Sequence, residues 1–157
     1  MFRLTSEEKL IRSFRPRDRA GLELPSGLSF PVFVRHYLAW REPSGASVRL
    51  VFSVPGGAPT GILFQRAHGG ESRSAQMCEW CHSPGGSHEI GLLTADASSR
   101  RRAGIIACLD VRCQEKLEDA ANRAGRSALD AQHAMVERIG RFAREALGID
   151  LSGAGRD

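Results

Sequence analysis

Met77-Cys78-Glu79-Trp80-Cys81-His82 and Ala107-Cys108-Leu109-Asp110-Val111-Arg112-Cys113-Gln114 hold the only four cysteines of this 157-residue chain. Two residues separate the first pair, twenty-six lie between the pairs, and four separate the second pair. Two close pairs at such a distance read as a tetrahedral zinc site. Each ligand must bind as thiolate, about 2.3 Å from the metal. A two-residue spacer lets a tight turn aim two sulfurs at one point. The four-residue spacer suits Cys108 at a strand end and Cys113 in the first turn of a helix, where the helix dipole favours a thiolate. Two disulfides would need an oxidising compartment, and nothing points to export. A redox dithiol at Cys78 and Cys81 leaves the second pair unexplained, and four unrelated core cysteines would not fall into two close pairs. His82 and His88 are substitute ligands by type, but four cysteines already close a zinc site.

Outward from the cysteines, the elements follow from hydrophobic spacing and turn chemistry. Pro84-Gly85-Gly86 ends the first knuckle, and His88 to Thr94 reads as a strand. Ala95 to Arg102 is a polar hairpin tip, and Gly104 to Ala107 returns to deliver Cys108. Asp110 is placed to cap the helix carrying Cys113 and Leu117. Gly125-Arg126-Ser127 breaks that helix. Ser127 opens a long last helix with Leu129, Ala131, Met135, Ile139, Phe142, Ala143 and Ala146 as apolar positions, and Gly148 as its cap. Knuckle, β-hairpin, then a helix whose first turn supplies the last ligand is the order of a treble-clef zinc finger.

Upstream, Thr5 and Glu8 form a capping-box pattern for a short helix through Leu10, Ile11 and Phe14 that ends before Pro16. Residues 15–31 are connector, with a helical turn around Asp18-Arg19-Ala20. Val32 to Trp40 is strand-like. Val48, Leu50, Phe52 and Val54 alternate as a half-buried strand, and Ile62-Leu63-Phe64 form another, ended by Gly69-Gly70. Together these predict an antiparallel meander with one apolar face. The fold class is α+β: an N-terminal helix, an antiparallel sheet, a treble-clef zinc finger and a long C-terminal helix. The expected division is an N-terminal lobe over 1–70, a zinc-finger lobe over 71–150 and a flexible tail over 151–157, frayed from Ser152 to Asp157.

Apolar residues make up 41% of the chain, enough for a packed core. Net charge is +4, and residues 1–70 hold ten basic against five acidic residues while 71–157 hold twelve against thirteen. The positive excess therefore lies outside the cysteine region, compatible with an anionic partner. The twenty arginines against two lysines fit a base-composition bias as well as any function. Met1-Phe2-Arg3-Leu4-Thr5 lacks the apolar core of a signal peptide. Leu28 to Trp40, interrupted by Arg35 and His36, is too short to span a bilayer. A cytoplasmic chain is expected.

Several of these stretches resemble a known family. They are Thr5 to Phe14, Tyr37-Leu38-Ala39-Trp40-Arg41-Glu42-Pro43, the knuckle Met77 to Cys81, Ile106-Ala107-Cys108-Leu109-Asp110-Val111-Arg112-Cys113, and the last helix with Arg138, Ile139 and Phe142. The sequence is similar to the elongation-factor-G-binding (FBP) domain proteins, the group that includes the FusB-type fusidic-acid-resistance proteins. The resemblance implies a zinc finger that binds the C-terminal domains of elongation factor G. In the resistance proteins that binding helps the factor leave a drug-stalled ribosome. Gln114 and Glu115 after Cys113 depart from the family's usual small polar residue.

Candidate partner-binding residues cluster near the cysteines. Trp80 is either an exposed aromatic anchor or packing over the zinc. Arg100, Arg101 and Arg102 at the hairpin tip are either a solvated loop or a contact to ribosomal RNA or an acidic protein. Arg112 and Lys116 either offset the −2 charge of a tetrathiolate zinc centre or touch the partner. Trp40 reads as core, and His36, His68 and His133 as ordinary surface or core.

No enzyme signature accompanies the cysteines. Met77 stands where zinc deaminases carry proline, and no His-x-Glu occurs upstream. The only asparagine, Asn122, lies on a predicted helix, away from any His-rich nuclease site. No Gly-x-Ser-x-Gly, phosphate loop or dinucleotide fingerprint is present. The expectation is a non-enzymatic zinc protein engaging elongation factor G, alone or on the ribosome. The alternative is a zinc-finger protein binding nucleic acid through its arginine-rich surface.

Overall fold

The alternating stretch around Leu50 forms an interior strand of a sheet. In the computed structural model, which describes residues 1–67 and 75–154, β4 (Ser47–Phe52) pairs antiparallel with β3 (Tyr37–Arg41) and β5 (Thr60–Arg66). Leu50 lies opposite Ala39 on one side and Ile62 on the other. β5 then pairs with β8 (Ile90–Asp96), and β8 with β9 (Arg102–Cys108), giving the order β3-β4-β5-β8-β9, antiparallel throughout. The expected division at 70/71 falls outside the described residues, as do His68 and Gly69-Gly70. One sheet carries strands from both sides of it.

The fold is α+β, as the pattern predicts. One sheet face carries Val48, Leu50, Phe52, Ile62 and Phe64. It packs in a common core with Met135 and Ile139 of α3 (Leu129–Arg141) and with Ala143 just beyond it. Each fully buried Phe or Leu contributes roughly 2 kcal/mol by leaving water. Gly140 lets this helix sit close, since a Cβ there would lie 2.7 Å from Val54. Past Arg141 the helix widens into a π-helical turn, Phe142–Ala146, and Gly148 closes it at φ +66. Leu129, the first residue of this helix, is 51% exposed. Leu151, placed in the expected tail, is buried, and its carbonyl accepts from the Ala58 amide at 2.9 Å.

The other face is also covered, which corrects the expectation of a half-buried β4. Val51 and Trp40 pack there with Leu4, Leu10, Phe14 and Val34. Phe14 lies flat on β5 because Gly61 has no Cβ; one built there would stand 2.6 Å from the Phe14 ring. This second layer comes from α1 (Glu7–Ser13) and from a two-stranded sheet of β1 (Phe2–Leu4) and β2 (Val32–Val34). The β1 strand has no alternation long enough to read. Ser6, not Thr5, caps α1, its Oγ accepting from the Lys9 amide at 3.2 Å. The connector's helical turn is a 3-10 turn at Pro16–Asp18, where proline presets the first helical φ.

Arg49 belongs to this second layer although alternation points it to water. It is 2% exposed. Its Nε meets Glu42 at 2.6 Å, Nη1 and Nη2 donate to the Asp18 and Ala20 carbonyls, and its guanidinium lies 5.4 Å from the Phe14 ring centre. Asp18 is itself buried. Its carboxyl is pushed up by burial, opposed by a hydrogen bond from Arg15 at 2.8 Å. The network therefore holds the 3-10 turn against the sheet. Glu42→Ala leaves the Arg49 charge buried without its carboxylate. It is expected to destabilise the fold by about 2–3 kcal/mol in urea unfolding, where a change near zero would contradict this role.

Candidate metal centre

The knuckle sits at the tip of a minimal hairpin in which β6 (Gln76–Met77) pairs with β7 (Pro84–Gly85). The Cys78 amide donates to the Ser83 carbonyl and the His82 amide to the Cys78 carbonyl, closing the turn. His82 adopts φ 62, the left-handed conformation this reversal requires. The Trp80 and Cys81 amides point at Cys78 Sγ from 3.4 and 3.5 Å. Such donors favour the thiolate over the thiol.

Cys108 is the last residue of β9 and Cys113 the first of α2 (Cys113–Arg123), as the spacing predicts. Val111 between them sits at φ 54, an uncommon conformation for a β-branched residue. Its carbonyl accepts from the Tyr37 hydroxyl at 2.6 Å. The same hydroxyl accepts from the Gln114 amide at 3.3 Å, and Gln114 Nε2 donates to the Tyr37 carbonyl. Burial, and then the neighbouring Cys113, hold the phenol well above its usual pKa, so it stays a donor. Sequence reading missed Tyr37, because a strand residue gives no local sign of a contact 74 positions away. It also missed Glu79, whose amide donates to the Ile106 carbonyl and whose carboxylate accepts from the Ile106 amide at 2.7 Å. That reciprocal pair fastens the knuckle to β9.

The four sulfurs are buried and lie within 4.8 Å of one another. Cys78 and Cys113 are 3.8 Å apart, and Cys81 and Cys108 3.6 Å. Neither contact is a disulfide, which needs about 2.05 Å. A tetrahedron with zinc–sulfur bonds of about 2.3 Å has edges of about 3.8 Å, so the cluster fits zinc. Without a cation the thiols compete for charge. Cys78 is drawn down to about 7 by contacts with Cys108 and then Cys113. Cys113 is pushed up, first by Cys108 and then by Cys78 and Cys81. A divalent ion removes that conflict by letting all four ionise. Both candidate substitutes, His82 and His88, are exposed and stand outside the cluster.

Lys116 takes the charge-compensating position. Its Nζ lies 3.2 Å from Cys108 Sγ and 3.1 Å from Asp110 Oδ2. Burial pulls the ammonium down, but hydrogen bonds with Asp110 and Cys108 outweigh it, so Lys116 is held above its ordinary pKa. Arg112 is exposed, and its amide, not its guanidinium, joins the network by donating to Asp110 Oδ1. Asp110 is thus no N-cap. It accepts from Arg112 and Lys116, while Arg112 occupies the N-cap position.

Trp80 is not an exposed anchor. It is 3% exposed, packs edge-on against Phe64 at 5.5 Å, and its carbonyl accepts from Arg138 of α3. The knuckle presses its indole into the sheet, and among the described residues the indole N–H has no partner. Arg100 and Arg101 are exposed at the hairpin tip. Arg102 instead lies back along the strand, paired with Asp96 at 3.1 Å and donating to Gln65 at 2.8 Å.

A family model, FBP C-terminal treble-clef zinc-finger, matches residues 9–148. The chain belongs to the FBP C-terminal treble-clef zinc-finger family. No curated protein matches it. In this FBP zinc finger, Cys78, Cys81, Cys108 and Cys113 hold one structural zinc ion, with knuckle, hairpin and helix in the treble-clef order. Four protein thiolates complete the tetrahedron.

Two outcomes test the centre. Cys108→Ser is expected to lose zinc and unfold the residues around α2, since zinc supplies on the order of 10 kcal/mol in finger domains; one zinc per chain in that variant, by elemental analysis, would contradict it. Tyr37→Phe is expected to keep zinc but lose about 1–2 kcal/mol of stability and release metal to a chromogenic chelator faster. An unchanged release rate would remove Tyr37 from the support of the Val111 turn.

Proposed function

We propose that this chain is a non-catalytic zinc protein that binds translation elongation factor G, free or on the ribosome. The observation carrying the reading is the family match over 9–148, together with the resemblance of its motif stretches to elongation-factor-G-binding proteins. The closed metal site supports a non-catalytic role, because four buried thiolates leave zinc no position for water or substrate. Zinc then acts by holding a surface.

Several groups remain accessible. Met77 beside the knuckle is 58% exposed and Leu92 on β8 43%. Arg100 and Arg101 are exposed at the tip of the β8–β9 hairpin, at the opposite end from Cys108, and Arg112 is exposed in the second ligand turn. Exposed apolar and cationic side chains suit a folded partner of negative surface charge. Trp80 contributes by bracing the knuckle from beneath, not by direct contact.

The experiment is size-exclusion or pull-down of the purified zinc protein with elongation factor G, and separately with RNA, at physiological salt. A stable complex with the factor is expected, weakened by Arg100→Glu/Arg101→Glu. Binding to RNA alone, falling steeply with salt, would overturn the assignment.

A further inference from the structure

The positive excess of residues 1–70 does not stay evenly spread once the chain folds. Arg15 engages Asp18 and the Asp96 carbonyl, Arg19 the Phe14 carbonyl, Arg35 Glu118, and Arg49 Glu42. Three others converge. Arg3 of β1 and Lys9 and Arg12 of α1 line one cleft of about 310 Å³, walled by Leu4, Ala58 and Pro59. Among the described residues no carboxylate lines it. Glu8 meets Arg12 at 2.8 Å from outside the cleft, in a pair exposed by 57% and 69%. Such a pair contributes little and exchanges readily with a competing anion.

Three cations facing one concavity repel one another, and an apolar wall strengthens the field they share. An anion with several oxygens relieves that repulsion. Two guanidinium forks and one ammonium suit phosphate, which arginine contacts in bidentate fashion and lysine as a point charge. We propose that the cleft formed by Arg3, Lys9 and Arg12 is a binding site for phosphate groups, of a free oligophosphate or of a nucleic-acid strand. The site lies on the second layer of the fold, is built by β1 and α1, and does not depend on the zinc-finger reading above.

The test uses the full zinc-loaded chain with two probes, inorganic tripolyphosphate by calorimetry and a short fluorescein-labelled single-stranded RNA by anisotropy. The wild type is expected to bind at least one. Arg3→Gln/Lys9→Gln/Arg12→Gln should weaken that binding at least about tenfold. With RNA it should also lower the slope of log K against log salt by about 2, from about 0.7 for each of three phosphate contacts. Lys9→Gln alone should lower it by about 0.7, which keeps the test open should the triple variant fold poorly. Tripolyphosphate binding identifies a free oligophosphate site, and RNA binding without it identifies a strand backbone. The control Arg123→Gln/Arg126→Gln, two exposed arginines at and just past the end of α2, should leave the affinity unchanged. The proposal is overturned if the wild type binds neither probe, if the cleft variants bind as the wild type does, or if only the control variant loses binding.

Discussion

Four thiolates brought within 4.8 Å of one another are the condition on which this structure depends. Without a cation the arrangement divides the thiols into some that ionise easily and some that resist it, because each added charge raises the energy of the next. A divalent ion reverses the balance and turns repulsion into the strongest local bond. The backbone is shaped to that end. His82 and Val111 both occupy left-handed conformations, one in each ligand turn, and each turn is secured from outside. Arg138 holds the knuckle through the Trp80 carbonyl, and Tyr37 holds the second turn through the Val111 carbonyl. Strain at a non-glycine residue persists only where its surroundings enforce it. Here the enforcing groups come from the sheet and from α3.

The sheet is therefore more than a platform for the finger. It runs from β3, which supplies Tyr37, to β9, which supplies Cys108, so both ends touch the metal centre. Its two faces carry two cores. One contains the knuckle and α3, and the other contains α1, β1 and the buried guanidinium of Arg49. A buried ion pair is weak evidence of net stability, but removing one partner is destabilising because the other charge stays in place. Arg49 thus sets how the amino-terminal layer meets β4, and that layer in turn places Arg3, Lys9 and Arg12 around one cleft.

Much of this was legible in the sequence, and the exceptions share a cause. The zinc ligands could be read because metal ligation needs specific side chains at short spacings, and the treble-clef order followed from turns and periodicity between them. The strands β4, β5, β8 and β9 and the helices α2 and α3 carried the same local signals. Burial of Arg49 could not be read, since alternation assigns an arginine to water unless its partners are known, and Glu42, Asp18 and Ala20 are not neighbours on the strand. Trp80 failed for a related reason: the spacing of Cys78 and Cys81 places it on the knuckle but does not say which way the knuckle faces. Tyr37 and Glu79 act through contacts distant in the chain, and β1 is too short to show a period.

The account places zinc as the organiser of a surface and assigns no chemistry to it. Its central claim is that Cys78, Cys81, Cys108 and Cys113 together, and no other groups, bind one zinc ion. X-ray absorption at the zinc edge of the purified protein tests it most directly. The account predicts a single shell of four sulfur neighbours at about 2.3 Å. A shell containing nitrogen or oxygen, or fewer than four sulfurs, would contradict it.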